Sequence, residues 1–299
     1  MLIQQEAKIS MRFNDLAFND LAKPGYTPPA HACDAHCHVF GPARDFPFAA
    51  ERKYTPQDAP KEKLFALHKH LGFERSVLVQ ASCHGTDNRA MVDMLNDAKG
   101  RYRGVAIIDE TFSDSDLQEL HEAGVRGIRF NFLTRLVDAK PAAYYQKIAE
   151  KIEKLGWHIV VYFESENLPN IRELLLSLPA PLVIDHMGRP DVSKELSEEN
   201  FQSICSLVAA HPQNWIKVSC IERLTRQGPP YSDVIPFAQH LVEHFPDQVL
   251  WGTDWPHPNM EENMPNDVQL VDCIPLIART PDLRKKLLVD NPHRLYKFE

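Results

Sequence analysis

Eight short apolar runs, each followed by an amphipathic segment, limit most strongly how this chain can fold. The runs are rich in Val and Ile, as expected of strands that are buried on both faces, and the intervening segments have helical apolar spacing. Eight strand and helix units in series predict a (β/α)8 TIM barrel over residues 31–299, a single domain preceded by an extended N-terminal arm at residues 1–30. The predicted strands are 33–39, 76–82, 104–109, 124–132, 158–164, 181–187, 215–220 and 248–254.

A doubly wound open sheet is the alternative arrangement for alternating strands and helices. No glycine-rich phosphate turn follows any of the predicted strands, so the dinucleotide-binding form of that fold lacks support. No linker or repeat divides the sequence either. The barrel is therefore the preferred prediction.

Composition restricts the partners of this chain. Its 299 residues carry a formal net charge of -8, which offers no overall basic surface for nucleic acid. No apolar run reaches the roughly 18 residues that span a bilayer, and the start "MLIQQEAKIS" lacks the apolar centre of a signal peptide. We therefore expect a cytoplasmic protein without nucleic-acid or membrane partners, and its six scattered cysteines predict reduced, packed thiols. The sequence leaves the oligomeric state open.

The segment "CDAHCH" at residues 33–38 contains two cysteines and two histidines, a set that could bind zinc if the side chains converged. Side chains on a strand alternate between its two faces. We therefore expect Asp34, His36 and His38 to share one face, with both cysteines on the other. This alternation favours an Asp-x-His-x-His arrangement over a zinc knuckle.

Enzymes with this barrel architecture place their chemistry at the C-terminal ends of the strands and in the loops that follow. We select polar and charged candidates at seven of the eight predicted ends. They are His36, His38, Ser82, His84, Arg129, Asn131, Arg135, Tyr162, Glu164, Asp185, His186, Arg223, Asp254 and His257.

The His-x-His pair on the first strand, His186 on the sixth strand and "GTDWPHP" at the eighth resemble the amidohydrolase superfamily. The resemblance covers nearly the whole chain. Five segments narrow it to the metal-independent lactonases of that superfamily that act on a dicarboxylated pyrone. These segments are "DAHCHVFGP", "VQASCHGTDN", "RGIRFNFL", "VIDHMGRPD" and "WGTDWPHPN".

Most members of the superfamily bind one or two divalent metals, and this sequence departs from their ligand pattern. Tyr162 stands where a histidine is expected on strand five, and Arg129 stands where a bridging lysine or carboxylate is expected on strand four. An arginine in the cavity would repel a cation where solvent is scarce. We therefore expect no metal and no other cofactor, although an open three-ligand zinc site at His36, His38 and Asp254 remains an alternative.

The resemblance implies hydrolysis of a small anionic lactone, 2-pyrone-4,6-dicarboxylate, to 4-oxalomesaconate in the bacterial breakdown of lignin-derived aromatics. Asp254 would act as the general base that activates water, and His36, His38 and His186 would polarise the carbonyl. Guanidinium groups bind carboxylates in a two-pronged geometry, so three arginines are expected to clamp the substrate unless they form structural ion pairs. The expected substrate-binding residues are Arg129, Arg135 and Arg223 together with, by resemblance, Tyr54, Ser82, Tyr162 and Asn259.

Three other functions remain open from the sequence. One is a lactonase for another anionic ring such as a sulfomuconolactone, and a second is a divalent-metal hydrolase or decarboxylase with the three histidines and Asp254 as ligands. The third is a noncatalytic barrel that only binds carboxylates. A thiol nucleophile at Cys37 or Cys83 is disfavoured, because alternation turns Cys37 away from the cavity and Cys83 has no evident base partner.

Overall fold

The computed structural model describes residues 22–260 and 264–299. Most of the predicted arm, residues 1–21, lies outside the described residues. Its remaining part, residues 22–30, contains no helix or strand. This part contacts the helix that follows the last strand, because the Tyr26 amide donates a hydrogen bond to the Asp272 carboxylate at 2.9 Å.

Eight parallel strands pair in sequence order, each with the next, and confirm the predicted barrel. Each strand lies within or close to its predicted run, and all eight end earlier than predicted. The strands are β1 (Cys33–Cys37), β2 (Arg75–Val79), β3 (Tyr102–Ala106), β4 (Val125–Asn131), β5 (His158–Tyr162), β6 (Leu182–Ile184), β7 (Trp215–Ser219) and β8 (Val249–Gly252).

Helices follow the strands and cover the outside of the sheet. Apolar residues of these helices pack with outward-facing strand residues in one large buried cluster. None of the helices in the described parts of the chain is long and apolar enough to cross a membrane. The α-helices are α1 (Lys61–Leu71), α2 (Arg89–Ala98), α3 (Asp114–Ala123), α4 (Ala142–Glu153), α5 (Leu168–Ser177), α6 (Glu199–Ala209), α7 (Ile235–His244), α8 (Asp267–Asp272), α9 (Ile274–Ile277), α10 (Pro281–Lys285) and α11 (Asn291–Tyr296).

A second, smaller cluster fills the interior of the barrel. Small and β-branched residues of the strands meet there with Trp215, Leu250 and two aromatic residues from the C-terminal segment, Tyr296 and Phe298. Arg103 of β3 donates hydrogen bonds to the backbone carbonyls of Tyr296 and Lys297. The C-terminal segment therefore packs into the end of the barrel where the strands begin.

The first and last strands meet through backbone hydrogen bonds just beyond β8. The Asp254 amide donates to the His36 carbonyl at 2.8 Å, and the His38 amide donates to the Trp255 carbonyl at 2.8 Å. The buried Asp34 carboxylate accepts from the Thr253 amide at 3.0 Å and from the Thr253 hydroxyl at 2.6 Å. These bonds hold the residues on both sides of Asp254 against the first strand.

The prediction that Asp34 shares a face with His36 and His38 is wrong. Register slips within β1, so that Asp34 lies opposite Ser76 while Cys37 lies opposite Leu78. The extra residue of this bulge interrupts the alternation of side chains. Asp34 consequently contacts His68 of α1 at 3.1 Å, whereas His36 and His38 contact Asp254.

Gly252 of β8 permits the close approach of the first and last strands. A Cβ atom at Gly252 would lie 2.5 Å from the His36 amide nitrogen and 2.6 Å from the His36 Cβ, neither of which can move independently of β1. We expect Gly252→Ala to lower the free energy of unfolding by about 1–3 kcal/mol because the strands must separate to admit the methyl group. Chemical denaturation measures this change.

Gly228→Ala is the matched control, since a Cβ atom there has no neighbour within 4 Å. Its free energy of unfolding should remain close to that of the unsubstituted protein. Equal stability of the two variants would contradict a close-packed contact between β1 and β8.

Candidate functional site

A cavity of about 520 Å³ opens at the C-terminal ends of the strands. Its walls contain all seven predicted substrate-binding residues and three of the four predicted catalytic residues. His36, the fourth, is fully buried next to Asp254. The predicted residues that line the cavity are His38, Tyr54, Ser82, Arg129, Arg135, Tyr162, His186, Arg223, Asp254 and Asn259.

Left-handed backbone follows three consecutive strands at this end of the barrel. His186 follows β6 with φ 52°, Cys220 follows β7 with φ 57°, and Asp254 follows β8 with φ 65°. Non-glycine residues seldom adopt this conformation, and it is common where a site dictates side-chain direction. The sharp turn directs the side chains of His186 and Asp254 into the cavity.

Asp254 lies at the centre of the candidate site and has charged or polar partners on both carboxylate oxygens. Its Oδ1 is 3.2 Å from His38 Nε2, 3.4 Å from His36 Nε2 and 3.9 Å from His186 Nε2. Its Oδ2 is 2.8 Å from Arg223 Nη2. Burial raises the pKa of Asp254, but the charge of Arg223 and the hydrogen bond from His38 hold it well below its usual range. Asp254 is therefore a carboxylate near neutral pH.

The other ring nitrogens of two histidines are held by neighbouring strands. His38 Nδ1 is 2.7 Å from the Val79 carbonyl, which can only accept, so Nδ1 carries a hydrogen. His38 Nε2 lies 3.2 Å from Asp254 Oδ1 in hydrogen-bond geometry. His186 Nδ1 is 2.9 Å from the Ser219 hydroxyl. These bonds fix the ring directions of His38 and His186.

A buried group of charges lies beneath this layer and includes a residue that the sequence interpretation missed. Lys217 of β7 is fully buried, with Nζ 3.0 Å from His36 Nδ1 and 3.1 Å from Asp185 Oδ1. Burial, followed by the charge of Lys217, lowers the pKa of His36 to about 3, so the ring is neutral. Burial raises the pKa of Asp185, but the charges of Lys217, His36 and Arg129 hold it well below its usual range. A single lysine within the apolar run "WIKVSC" was the available signal.

The predicted arginine clamps differ in their contacts. Arg129 binds Asp185 Oδ2 through Nε at 3.1 Å and Nη2 at 3.0 Å. Two of its guanidinium nitrogens therefore form a structural ion pair. Arg135 is half exposed and 3.2 Å from Glu164. Two further arginines that the sequence interpretation did not select, Arg189 and Arg226, also line the cavity.

Two predicted histidines, His84 and His257, are not among the described residues that line this cavity. His84 is buried beside the rings of Phe40 and Phe48. His257 is 3.1 Å from Asp267, and although burial lowers its pKa, Asp267 and Glu222 raise it to about 10. His84 therefore packs with aromatic rings, and His257 forms an ion pair.

The environment of the cysteines does not favour a nucleophilic role. All six are buried and free of disulfides, as predicted. Burial raises the pKa of Cys83 to about 11 and that of Cys37 well above its usual range. Both thiols therefore keep their protons near neutral pH, and thiolate chemistry is disfavoured.

His36, His186 and Asp254 form a buried group whose ligand atoms lie within 4.8 Å of one another, and these side chains could in principle hold a metal. The surrounding charges oppose a divalent cation. Asp254 is already paired with Arg223 and His38, and the Lys217 ammonium lies against the far side of the His36 ring. A dication would meet fixed positive charges from several directions where little solvent screens them, so the donor set does not fit a metal.

Comparison with known proteins shows the family of this chain. The family model described as Amidohydrolase matches residues 33–298. The 2-pyrone-4,6-dicarboxylate hydrolase of Comamonas testosteroni is 56% identical over 283 residues, which are 92% of this chain and 93% of that protein. The 4-sulfomuconolactone hydrolase of Rhizobium radiobacter is 36% identical over 271 residues, 90% of each chain.

A solved structure agrees with these matches. A proposed 2-pyrone-4,6-dicarboxylic acid hydrolase from Pseudomonas putida is 31% identical, with a TM-score of 0.78 over 90% of this chain and 98% of that one. The sequence-based resemblance is therefore confirmed, and the chain belongs to the amidohydrolase family.

Proposed function

We propose that this protein hydrolyses the lactone ester of 2-pyrone-4,6-dicarboxylate without a metal ion. The observation that carries the proposal is the buried Asp254 carboxylate, which faces three imidazoles on one oxygen and an arginine on the other. The 56% identity to the hydrolase of Comamonas testosteroni supports the choice of substrate. The product is 4-oxalomesaconate, formed first as its enol.

The charge of the cavity suits a dianion. Among the described residues that line it, arginines outnumber carboxylates by two, which two substrate carboxylates would balance. Arginine binds carboxylates through paired hydrogen bonds and keeps its charge when desolvated. The arginines are Arg129, Arg135, Arg189, Arg223 and Arg226, and the carboxylates are Glu164, Glu222 and Asp254.

The polar side chains supply the parts of an acyl transfer to water. Asp254 takes a proton from water as the oxygen attacks the lactone carbonyl, and the ring C–O bond then breaks to release the enol oxygen. Hydrogen bonds from the imidazoles stabilise the negative charge on the carbonyl oxygen. The proton held by Asp254 is returned to the product.

Substrate binding increases the basicity of Asp254. In the free protein, Arg223 lies 2.8 Å from Asp254 Oδ2 and keeps the pKa of this carboxyl low. A substrate carboxylate competes for the same guanidinium and weakens its attraction for Asp254. The base is thus strengthened when the substrate is present.

We expect Asp254→Asn to lower kcat by about 10²–10⁴-fold, because the amide cannot accept the proton from water. Substrate binding should persist, because the arginines remain. Loss of pyrone absorbance measures turnover, and calorimetry measures binding.

The control is Asp191→Asn, which makes the same chemical change at an exposed carboxylate in the loop after β6. Its kcat should equal that of the unsubstituted protein. Unchanged turnover in Asp254→Asn would reject Asp254 as the base, and absence of turnover in the unsubstituted protein would reject the proposed substrate.

Treatment with a chelator should leave the rate of hydrolysis unchanged, because fixed hydrogen-bond donors replace the Lewis acid in this proposal. Elemental analysis of the treated protein checks that zinc and manganese are absent while turnover is measured. A loss of activity that zinc or manganese restores would instead support the divalent-metal hydrolase.

Arg223→Met should move the acidic limb of the kcat/KM profile to higher pH. Asp254 acts as a base only when deprotonated, and Arg223 is the main charge that keeps its pKa below the ordinary value. Without Arg223, burial raises this pKa, so activity is lost at a higher pH as the solution is acidified. A pH titration of initial rates measures the shift.

Arg226→Met is the comparison variant, since Arg226 lines the same cavity but forms no ion pair with Asp254. Its acidic limb should stay in place even if its KM rises. An equal shift in both variants would indicate a general loss of positive charge and would contradict the specific effect of Arg223.

A sulfomuconolactone is the second candidate substrate. The 36% identity to the 4-sulfomuconolactone hydrolase of Rhizobium radiobacter supports testing it. The cavity arginines would also bind a sulfonate. Measuring kcat/KM for both lactones with the same protein ranks the two candidates. We expect the pyrone to be preferred.

A further inference from the structure

His36 Nδ1 has two partners with opposite requirements. One would be matched by a lone pair on this nitrogen, and the other by a hydrogen. Lys217 Nζ, which as an ammonium only donates, lies 3.0 Å away. Asp185 Oδ1, which as a carboxylate only accepts, lies 3.2 Å away. All three residues are fully buried, and both distances are those of direct contacts.

Hydrogen-bond geometry favours the lysine. Lys217 Nζ is 3.0 Å from His36 Nδ1 in hydrogen-bond geometry, whereas Asp185 Oδ1 is 3.2 Å from the same nitrogen and is itself paired with Lys217 Nζ at 3.1 Å. A hydrogen on Nδ1 would point its positive end toward the ammonium. With Nδ1 as an acceptor, the neutral ring carries its hydrogen on Nε2.

The opposite side of the ring favours the same tautomer. His36 Nε2 is 3.4 Å from Asp254 Oδ1 and has no hydrogen-bond partner in the described structure. A lone pair on Nε2 would face the negative charge of Asp254, whereas an N–H would be attracted to it. A cation at one nitrogen and an anion at the other therefore polarise the ring in one direction.

We propose that Lys217 is a positioning residue that holds His36 in the Nε2–H tautomer and thereby makes it a hydrogen-bond donor beside Asp254, behind the residues that line the cavity. The inference rests on the proposed function, since the unpartnered donor is used when a carbonyl oxygen or water occupies the site. It also gives a reason for the poor fit of a metal. A metal ion needs the Nε2 lone pair, which this tautomer does not offer.

The test begins with the unsubstituted protein and needs no substrate. Nitrogen-15 NMR of labelled histidine side chains distinguishes an N–H nitrogen from an acceptor nitrogen, and His36→Gln assigns the His36 signals by their loss. We expect hydrogen on Nε2 and none on Nδ1. Hydrogen on Nδ1 would overturn the proposal even if the protein is a lactonase.

Lys217→Met then removes the ammonium while keeping an unbranched apolar side chain of similar length. Asp185 becomes the remaining polar partner of His36 Nδ1, so the hydrogen should move to Nδ1. Because one donor to the carbonyl oxygen is lost, kcat should fall by about 10²-fold while KM stays near its original value. Zinc, added alone and followed by equilibrium dialysis, should be retained more strongly than by the unsubstituted protein.

Arg103→Met is the matched control, because it also removes a buried cation from a strand but lies at the opposite end of the barrel beside Phe298. It is expected to lower stability without changing the His36 tautomer, kcat or zinc retention. A Lys217→Met protein that keeps hydrogen on Nε2, or an Arg103→Met protein that shows the same changes, would contradict the proposal.

Discussion

The hydrogen bond from the Asp254 amide to the His36 carbonyl joins the last strand of the barrel to the first. It places the carboxylate and the histidine, 218 positions apart in the chain, side by side. The Asp34 carboxylate reinforces the junction through Thr253. The geometry of the candidate site is therefore a direct result of barrel closure, and a change in how the strands meet would alter the distances around Asp254.

Alternating charges extend from the cavity into the barrel. Arg223 faces Asp254, the histidines separate Asp254 from the deeper layer, and Lys217 and Arg129 face Asp185. Each ion of this group has at least one opposite charge in contact, which lessens the large cost of removing it from water. This arrangement keeps the positions of the polar side chains fixed before a substrate arrives, as electrostatic catalysis requires.

The sequence predicted the architecture and many of the cavity-lining residues. Strand order supplied most of these residues, and the family resemblance supplied Tyr54 and Asn259. Eight apolar runs predicted the eight strands, and the rule that chemistry lies at their C-terminal ends selected residues that do surround one cavity. Local irregularity was not predictable in this way. The bulge in β1 interrupts a simple alternation, and so Asp34 was assigned to the wrong face.

Contacts between distant strands were also missed. Lys217 appeared to be an isolated charge in an apolar run, and only the fold brings it to His36 and Asp185. The division of Arg129 between a structural ion pair and the cavity likewise depends on the position of Asp185 in three dimensions. A sequence pattern identifies which residues reach a site, but charge pairing depends on distances that the pattern does not contain.

The aromatic residues Tyr296 and Phe298 fill the barrel together with strand residues that begin at Cys33. A ribosome synthesises Cys33 more than 260 residues earlier than Phe298. During translation the interior faces of the early strands therefore stay incompletely packed until Tyr296 and Phe298 have been synthesised. Nascent chains of this protein would expose apolar strand surface for most of their synthesis, and such surface favours aggregation until the last residues arrive.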